Sequence, residues 1–70
     1  MKTAIVEGKE VKIGDFVGFK CDIEQDGEIK DIQGSGSSAT LVLFNGDGFD
    51  GGYIGGHLKT SVLAKDCWID

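Results

Sequence analysis

The fold is decided by the stretch Lys12-Ile13-Gly14-Asp15-Phe16-Val17-Gly18-Phe19-Lys20-Cys21-Asp22-Ile23. Its first residues include Gly14-Asp15, a pair that favours a turn. Apolar and polar side chains then alternate, with Val17, Phe19, Cys21 and Ile23 on one side of an extended segment and Lys20 and Asp22 on the other. Alternation with a period of two predicts a half-buried β-strand.

The segments on either side of this strand predict further antiparallel strands. Ile5-Val6 and Val11-Lys12-Ile13 flank Gly8, which predicts an N-terminal hairpin. On the other side, Asp26-Gly27 predicts a hairpin turn over residues 24–27. The strand after it, residues 28–33, has isoleucines three positions apart, which fits a β-bulge near residues 30–31, burial on both faces, or a short helix.

The second half of the chain continues the same pattern. A Gly/Ser connection at residues 34–38 leads into an apolar strand at 39–44, and alternation at Leu58, Thr60, Val62 and Ala64 predicts another strand. Lys65-Asp66 predicts a turn before a short last strand at residues 67–69. Several short strands with no helical period predict an all-β fold, a small barrel or roll of five to six antiparallel strands in one domain spanning residues 1–70.

Residues 45–56 form the most unusual segment, with six glycines around three large apolar side chains. Ordering so many glycines is costly in chain entropy. We expect Phe49, Tyr53 and Ile54 to fix this loop, because otherwise all three would lie in water.

Charge and composition exclude several classes of function. Seven basic and twelve acidic residues give a net charge of −5, which disfavours nucleic acid and anionic membranes. Four early lysines, Lys2, Lys9, Lys12 and Lys20, keep a nucleic-acid partner as the alternative. Neither a signal peptide nor an apolar span is visible, so we expect a cytoplasmic protein with no membrane partner. Two cysteines are then expected to be reduced thiols.

No motif predicts a catalytic or metal centre. Cys21, His57 and Cys67 are a conceivable zinc or nucleophile set, but no C-x-x-C pair is present to preorganise an ion. Glu24 and Asp26 are expected in a turn, where exposure keeps both ionised. The chain is therefore predicted to be a non-enzyme without a cofactor or a metal.

Three segments carry a resemblance to known proteins. Residues 11–20, residues 25–29 and the closing strand resemble an SH3-like barrel of the KOW/Tudor kind. More narrowly, Gly48-Phe49-Asp50-Gly51-Gly52-Tyr53-Ile54-Gly55-Gly56 and Ala64-Lys65-Asp66-Cys67-Trp68-Ile69 are similar to a family of small uncharacterised proteins of tailed bacteriophages. The resemblance implies an SH3-like fold and a bacterial host cytoplasm, and KOW and Tudor-like barrels commonly bind RNA, ribosomal partners or methylated peptides.

The candidate binding residues are those of the glycine loop and the last strand. We expect Phe49, Tyr53, Ile54 and Trp68 to contact a host or phage protein, since exposed loops of a rigid scaffold often carry function. The three aromatic rings could instead pack in the core, and their sequence positions do not distinguish the two arrangements.

Overall fold

The computed structural model describes residues 2–50 and 55–70. Within them lie seven strands, β1 to β7 in order: Thr3–Val6, Lys9–Lys12, Phe16–Cys21, Ile23–Gln33, Thr40–Phe44, Lys59–Leu63 and Cys67–Ile69. Two 3₁₀ turns, Gly36–Ser38 and Ala64–Asp66, precede β5 and β7. The predicted all-β class is confirmed. The N-terminal hairpin forms a two-stranded sheet of its own and the other five strands form the main sheet, so the total is seven and not five to six.

The main sheet has five antiparallel strands in the order β6-β5-β4-β3-β7. Strand β4 is eleven residues long, and its first half pairs with β3 while its second half pairs with β5. The β4–β5 register shifts between Ile29 and Asp31, which confirms the predicted bulge. A bulge increases local twist, and here it lies where β4 passes from one neighbour to the other. The sheet can therefore curl around a small core.

The chain reverses between β3 and β4 earlier than predicted. Cys21 pairs directly with Ile23, and Asp22 between them has a positive φ of 66°. The hairpin turn predicted at Asp26-Gly27 is wrong, because both residues lie inside β4. An added Cβ at Gly27 would lie 3.0 Å from a ring carbon of Phe49, so glycine is needed there for close packing.

The core lies on one side of the main sheet. It consists of Ala4, Val6, Val11, Val17, Phe19, Ile29, Ile32, Ala39, Leu41, Leu43, Phe49, Ala64 and Cys67. Of the four alternating residues that predicted β3, Val17 and Phe19 are buried and Cys21 is half-buried. Ile23 is 49% exposed because it follows the turn.

The N-terminal hairpin closes one end of this core. Strand β1 contacts both 3₁₀ turns, and it contributes Ala4 and Val6 to the buried cluster. The Glu7 carboxylate accepts a hydrogen bond from the backbone N–H of Ile69 at 2.6 Å, which ties the hairpin to β7. The small second sheet is therefore part of the same folded unit.

The turn before β3 is stabilised by its aspartate. The carboxylate of Asp15 accepts a hydrogen bond from the backbone N–H of Lys12 at 3.0 Å and another from its ammonium group at 3.2 Å. These two bonds hold the pKa of Asp15 below its ordinary value, since both favour the ionised form. Asp15 thus fixes the point at which β3 begins.

None of the helical segments in the described ranges is long and apolar enough to cross a bilayer.

Candidate binding face

Phe49 lies in the core and not on a binding surface. Its side chain is 0% exposed, and its ring meets that of Phe19 edge to face, with 5.4 Å between centroids. Phe49 therefore fixes its loop, as predicted, but it has no surface with which to contact a partner. This corrects its assignment as a binding residue. Tyr53 and Ile54 lie outside the described residues.

The side-chain amides of Gln25 on β4 and of Asn45 in the glycine loop hold the first part of this loop in place. The Gln25 side chain donates a hydrogen bond to the carbonyl of Asp50 at 2.5 Å and accepts one from its N–H at 2.9 Å. The Asn45 side chain donates to the carbonyl of Asp26 at 3.2 Å and accepts from the N–H of Asp47 at 2.9 Å. The first half of the loop is therefore held against β4.

Trp68 lies on the side of the sheet that faces away from the core. Cross-strand partners share a face of a sheet, and Gly18 of β3 is paired with Trp68 on one side and with Asp26 on the other. The indole covers Gly18 so closely that an added Cβ would lie 2.6 Å from its Cε2 atom. Glycine at position 18 is thus required for the half-buried indole to lie across the sheet.

A second row of this face carries two phenylalanines. Phe16 is paired with Glu28, and Glu28 is paired with Phe44. Phe16 is 58% exposed, the most exposed of the large apolar side chains in the described ranges. The ammonium group of Lys30 lies 5.5 Å from the centre of the Phe44 ring and 3.3 Å from the Glu28 carboxylate. This row therefore carries exposed aromatic surface and one carboxylate, that of Glu28, which forms an ion pair with Lys30.

Two shallow cavities flank Asp26 on this side of the sheet. One of about 270 Å³ is lined by Glu24, Gln25, Asp26, Trp68 and Asp70, and we call it the Trp68 pocket. The other, of about 300 Å³, includes the rings of Phe16 and Phe44 and the carboxylates of Asp26, Glu28 and Asp47, and we call it the Phe16 pocket. Neither is lined by a basic side chain. The aromatic–acidic face comprises Phe16, Gly18, Glu24, Asp26, Glu28, Phe44, Asp47, Trp68 and Asp70.

Three acidic residues line the Trp68 pocket, and two of them, Asp26 and Asp70, interact with each other. A hydrogen bond to the Asp26 carboxylate raises the pKa of Asp70 above its ordinary value, and partial desolvation and the like charge of Asp26 act in the same direction. The ion pairs formed within residues 2–50 and 55–70 are Lys2–Asp31, Lys12–Asp15 and Lys30–Glu28. No lysine in the described chain therefore forms an ion pair with either of these two carboxyl groups.

The predicted thiol and imidazole candidates do not form a metal site among the described residues. No group of three His, Cys, Asp or Glu side chains that could hold a metal occurs within the described ranges, so Cys21, His57 and Cys67 do not form a ligand set. Burial, with the Asp66 carboxylate nearby, raises the pKa of the Cys67 thiol to about 11. Its sulfur donates a weak hydrogen bond to the carbonyl of Leu63 at 3.4 Å. Cys67 is therefore an inert core thiol.

A larger cavity, of about 500 Å³, lies between β3 and β6. Its lining includes Lys20 and Asp66, one charge of each sign, together with the half-buried Cys21. Strand β6 has β5 as its neighbour in the sheet, and β7 pairs with β3 only as far as Phe19. The cavity thus separates two strand edges, and its mixed charge favours no class of ligand.

Sequence reasoning missed most of the aromatic–acidic face. Phe16 was not assigned to a face, although its spacing of two from Gly18 and four from Lys20 places it on the outward side. Glu24 and Asp26 were expected in a turn and instead lie on β4. A period-two pattern that continues through residue 28 would have placed both acids on the same face as Phe16, but their position beside Trp68 needs the strand register.

Comparisons of the chain with protein-family models, with curated proteins and with solved structures find no match.

Proposed function

We propose that this chain is a small, non-catalytic binding module that contacts a protein partner through the aromatic–acidic face. The observation that carries the proposal is the position of Phe16 and Trp68 on the side of the main sheet that faces away from the core. Large aromatic side chains contribute much of the binding energy at protein interfaces. Phe16, with more than half of its surface in water, gains the most from being covered.

A non-catalytic role is supported by the environment of the polar groups. Within the described residues, no polar or charged side chain is buried. General acids, bases and nucleophiles are tuned by burial beside specific partners. His57 is exposed, and Cys67 is protonated at neutral pH. These environments favour recognition over catalysis as the role of the described surface.

The resemblance to bacteriophage proteins supports a partner in the bacterial host cytoplasm, either a host protein or another phage protein. Tyr53 and Ile54 stay part of the proposed contact set, because their loop begins beside the Phe16 pocket, where Asn45 and Asp47 lie. Phe49 is no longer included. Nucleic acid is the weaker alternative, because the carboxylates of the aromatic–acidic face repel phosphate.

The proposal is tested by replacing an exposed apolar residue on this face and one on the opposite face. Phe16→Ser removes the exposed ring, and Ile23→Ser removes a comparably exposed side chain that shares the core-side face with Cys21. Both variants should keep the fold, since surface changes usually alter stability by about 0.5 kcal/mol or less. Each protein is immobilised, and captured proteins from bacterial lysate are compared by quantitative mass spectrometry.

We expect a protein that is retained by the wild type and by Ile23→Ser and lost with Phe16→Ser. Equal capture by all three proteins would overturn the assignment of the binding face. Salt-sensitive retention of single-stranded RNA by the wild type, with no such protein, would favour the nucleic-acid alternative.

A further inference from the structure

The aromatic–acidic face is a sheet surface with no covering element among the described residues. The rows Trp68–Gly18–Asp26 and Phe16–Glu28–Phe44 are adjacent, because Phe16 and Gly18 are two positions apart on β3. The two rows form one continuous surface that carries the rings of Trp68, Phe16 and Phe44. Asp26 lines both pockets of this surface. A single short peptide segment can therefore contact both.

Acidic side chains predominate in the two pockets, although Lys20 and Lys59 lie on the same side of the sheet as cross-strand partners of Glu24 and Phe44. Five carboxylates line the two pockets, those of Glu24, Asp26, Glu28, Asp47 and Asp70, and only Glu28 forms an ion pair with a lysine. Charge complementarity selects partners and orients them at protein interfaces. The acidic lining of the two pockets therefore favours a basic occupant.

The Trp68 pocket has the chemistry that a guanidinium group requires. A planar cation can stack on an indole, and its N–H groups can bind carboxylates in pairs. The indole of Trp68 packs directly over Gly18, and Asp26 and Asp70 line the pocket beside it. A guanidinium in this pocket would place N–H donors next to both carboxyl groups.

We propose that the aromatic–acidic face binds a basic protein segment, with one arginine side chain in the Trp68 pocket and an apolar neighbour against Phe16. This inference rests on the proposed binding function and names the class of partner. The arginine stacks on the Trp68 indole and donates hydrogen bonds to Asp26 and Asp70, while Glu24 adds to the attraction.

Trp68 is the only tryptophan of the chain, so its fluorescence reports directly on this pocket. The probes are capped hexa-arginine and capped hexalysine peptides, titrated at pH 7 in 20 mM and 150 mM salt. Asp26→Asn keeps the shape of the pocket and removes one charge. Glu10→Gln is the matched control, because it removes one charge from exposed β2 in the other sheet.

We expect saturable quenching by hexa-arginine, about fivefold weaker binding for Asp26→Asn, and wild-type affinity for Glu10→Gln. Hexalysine should bind more weakly, because an ammonium group lacks the planar fork of a guanidinium. Equal weakening by the two variants would show non-specific attraction to an acidic protein and overturn the proposal. Equal binding of hexalysine would overturn the assignment of arginine.

The proposed function and this inference can fail separately. If Phe16→Ser loses a captured protein while hexa-arginine leaves Trp68 fluorescence unchanged, the binding face stands and its basic partner does not. If no captured protein depends on Phe16 and hexa-arginine still binds through Asp26, the protein-binding function fails and the arginine pocket stands.

Discussion

Replacing Phe49 by alanine should remove most of the stability of this domain. The ring is completely buried and meets the ring of Phe19 at 5.4 Å. Truncating a core phenylalanine to alanine costs about 3–5 kcal/mol, and the lost edge-to-face contact places this site toward the upper end. A chain of this length has a free energy of unfolding of roughly 4–10 kcal/mol. Phe49→Ala is therefore expected to leave only a small free energy of unfolding, or none.

The assay is equilibrium unfolding in urea at 25 °C, followed by Trp68 fluorescence and by far-ultraviolet circular dichroism. Phe16→Ala is the matched control, since it removes the same ring from the outward side and should change the free energy of unfolding by about 0.5 kcal/mol or less. A loss below about 1 kcal/mol for Phe49→Ala would refute the placement of Phe49 in the core. It would also restore Phe49 as a candidate contact residue of the glycine loop.

Three further changes test other parts of the structure. Gly18→Ala should displace the Trp68 indole, with a red-shifted emission and a loss of about 1–3 kcal/mol, whereas unchanged emission would contradict the close approach. In paired urea titrations, Asp15→Asn should be less stable than the wild type at neutral pH. The difference in the free energy of unfolding should vanish as pH falls through the lowered pKa of Asp15, and a difference independent of pH would contradict this expectation. Iodoacetamide at pH 8 should label Cys21 before Cys67, whose thiolate fraction is about one in a thousand, and peptide mass spectrometry showing the reverse order would place Cys67 outside the core.

The fold could be predicted where local pattern and tertiary packing agree. Alternation at Val17 and Phe19 placed β3 correctly. Successive side chains of a strand point to opposite faces, so a strand with one buried face needs an apolar residue at every second position. The unusual spacing of Ile29 and Ile32 indicated the bulge for a similar reason, since both side chains must face the core.

The turn between β3 and β4 could not be placed from local signals. Asp-Gly is a strong hairpin pair, yet Gly27 serves the tertiary structure by leaving room for Phe49, a residue twenty-two positions away. The reversal instead falls at Asp22, which adopts a left-handed conformation that aspartate tolerates better than most residues. A non-local contact thus overrides the local preference.

The binding face was only partly predictable for the same reason. Trp68 was identified as a candidate contact residue together with the aromatic residues of the glycine loop. Its partners Asp26 and Gly18 became visible only with the strand register, which decides which side chains share a face. Phe49 was assigned to the surface because glycines surround it in the sequence. In the folded chain its side chain is buried in the core.

The account is tested most directly by the solvent exposure of individual aromatic rings, measured as broadening of assigned aromatic proton signals by a soluble gadolinium chelate. The prediction is strong broadening for Phe16, intermediate broadening for Trp68, and protection for Phe19 and Phe49. Broadening of Phe49 as strong as that of Phe16, or protection of Phe16, would contradict the central claim that the exposed aromatic surface lies on the outward side of the sheet.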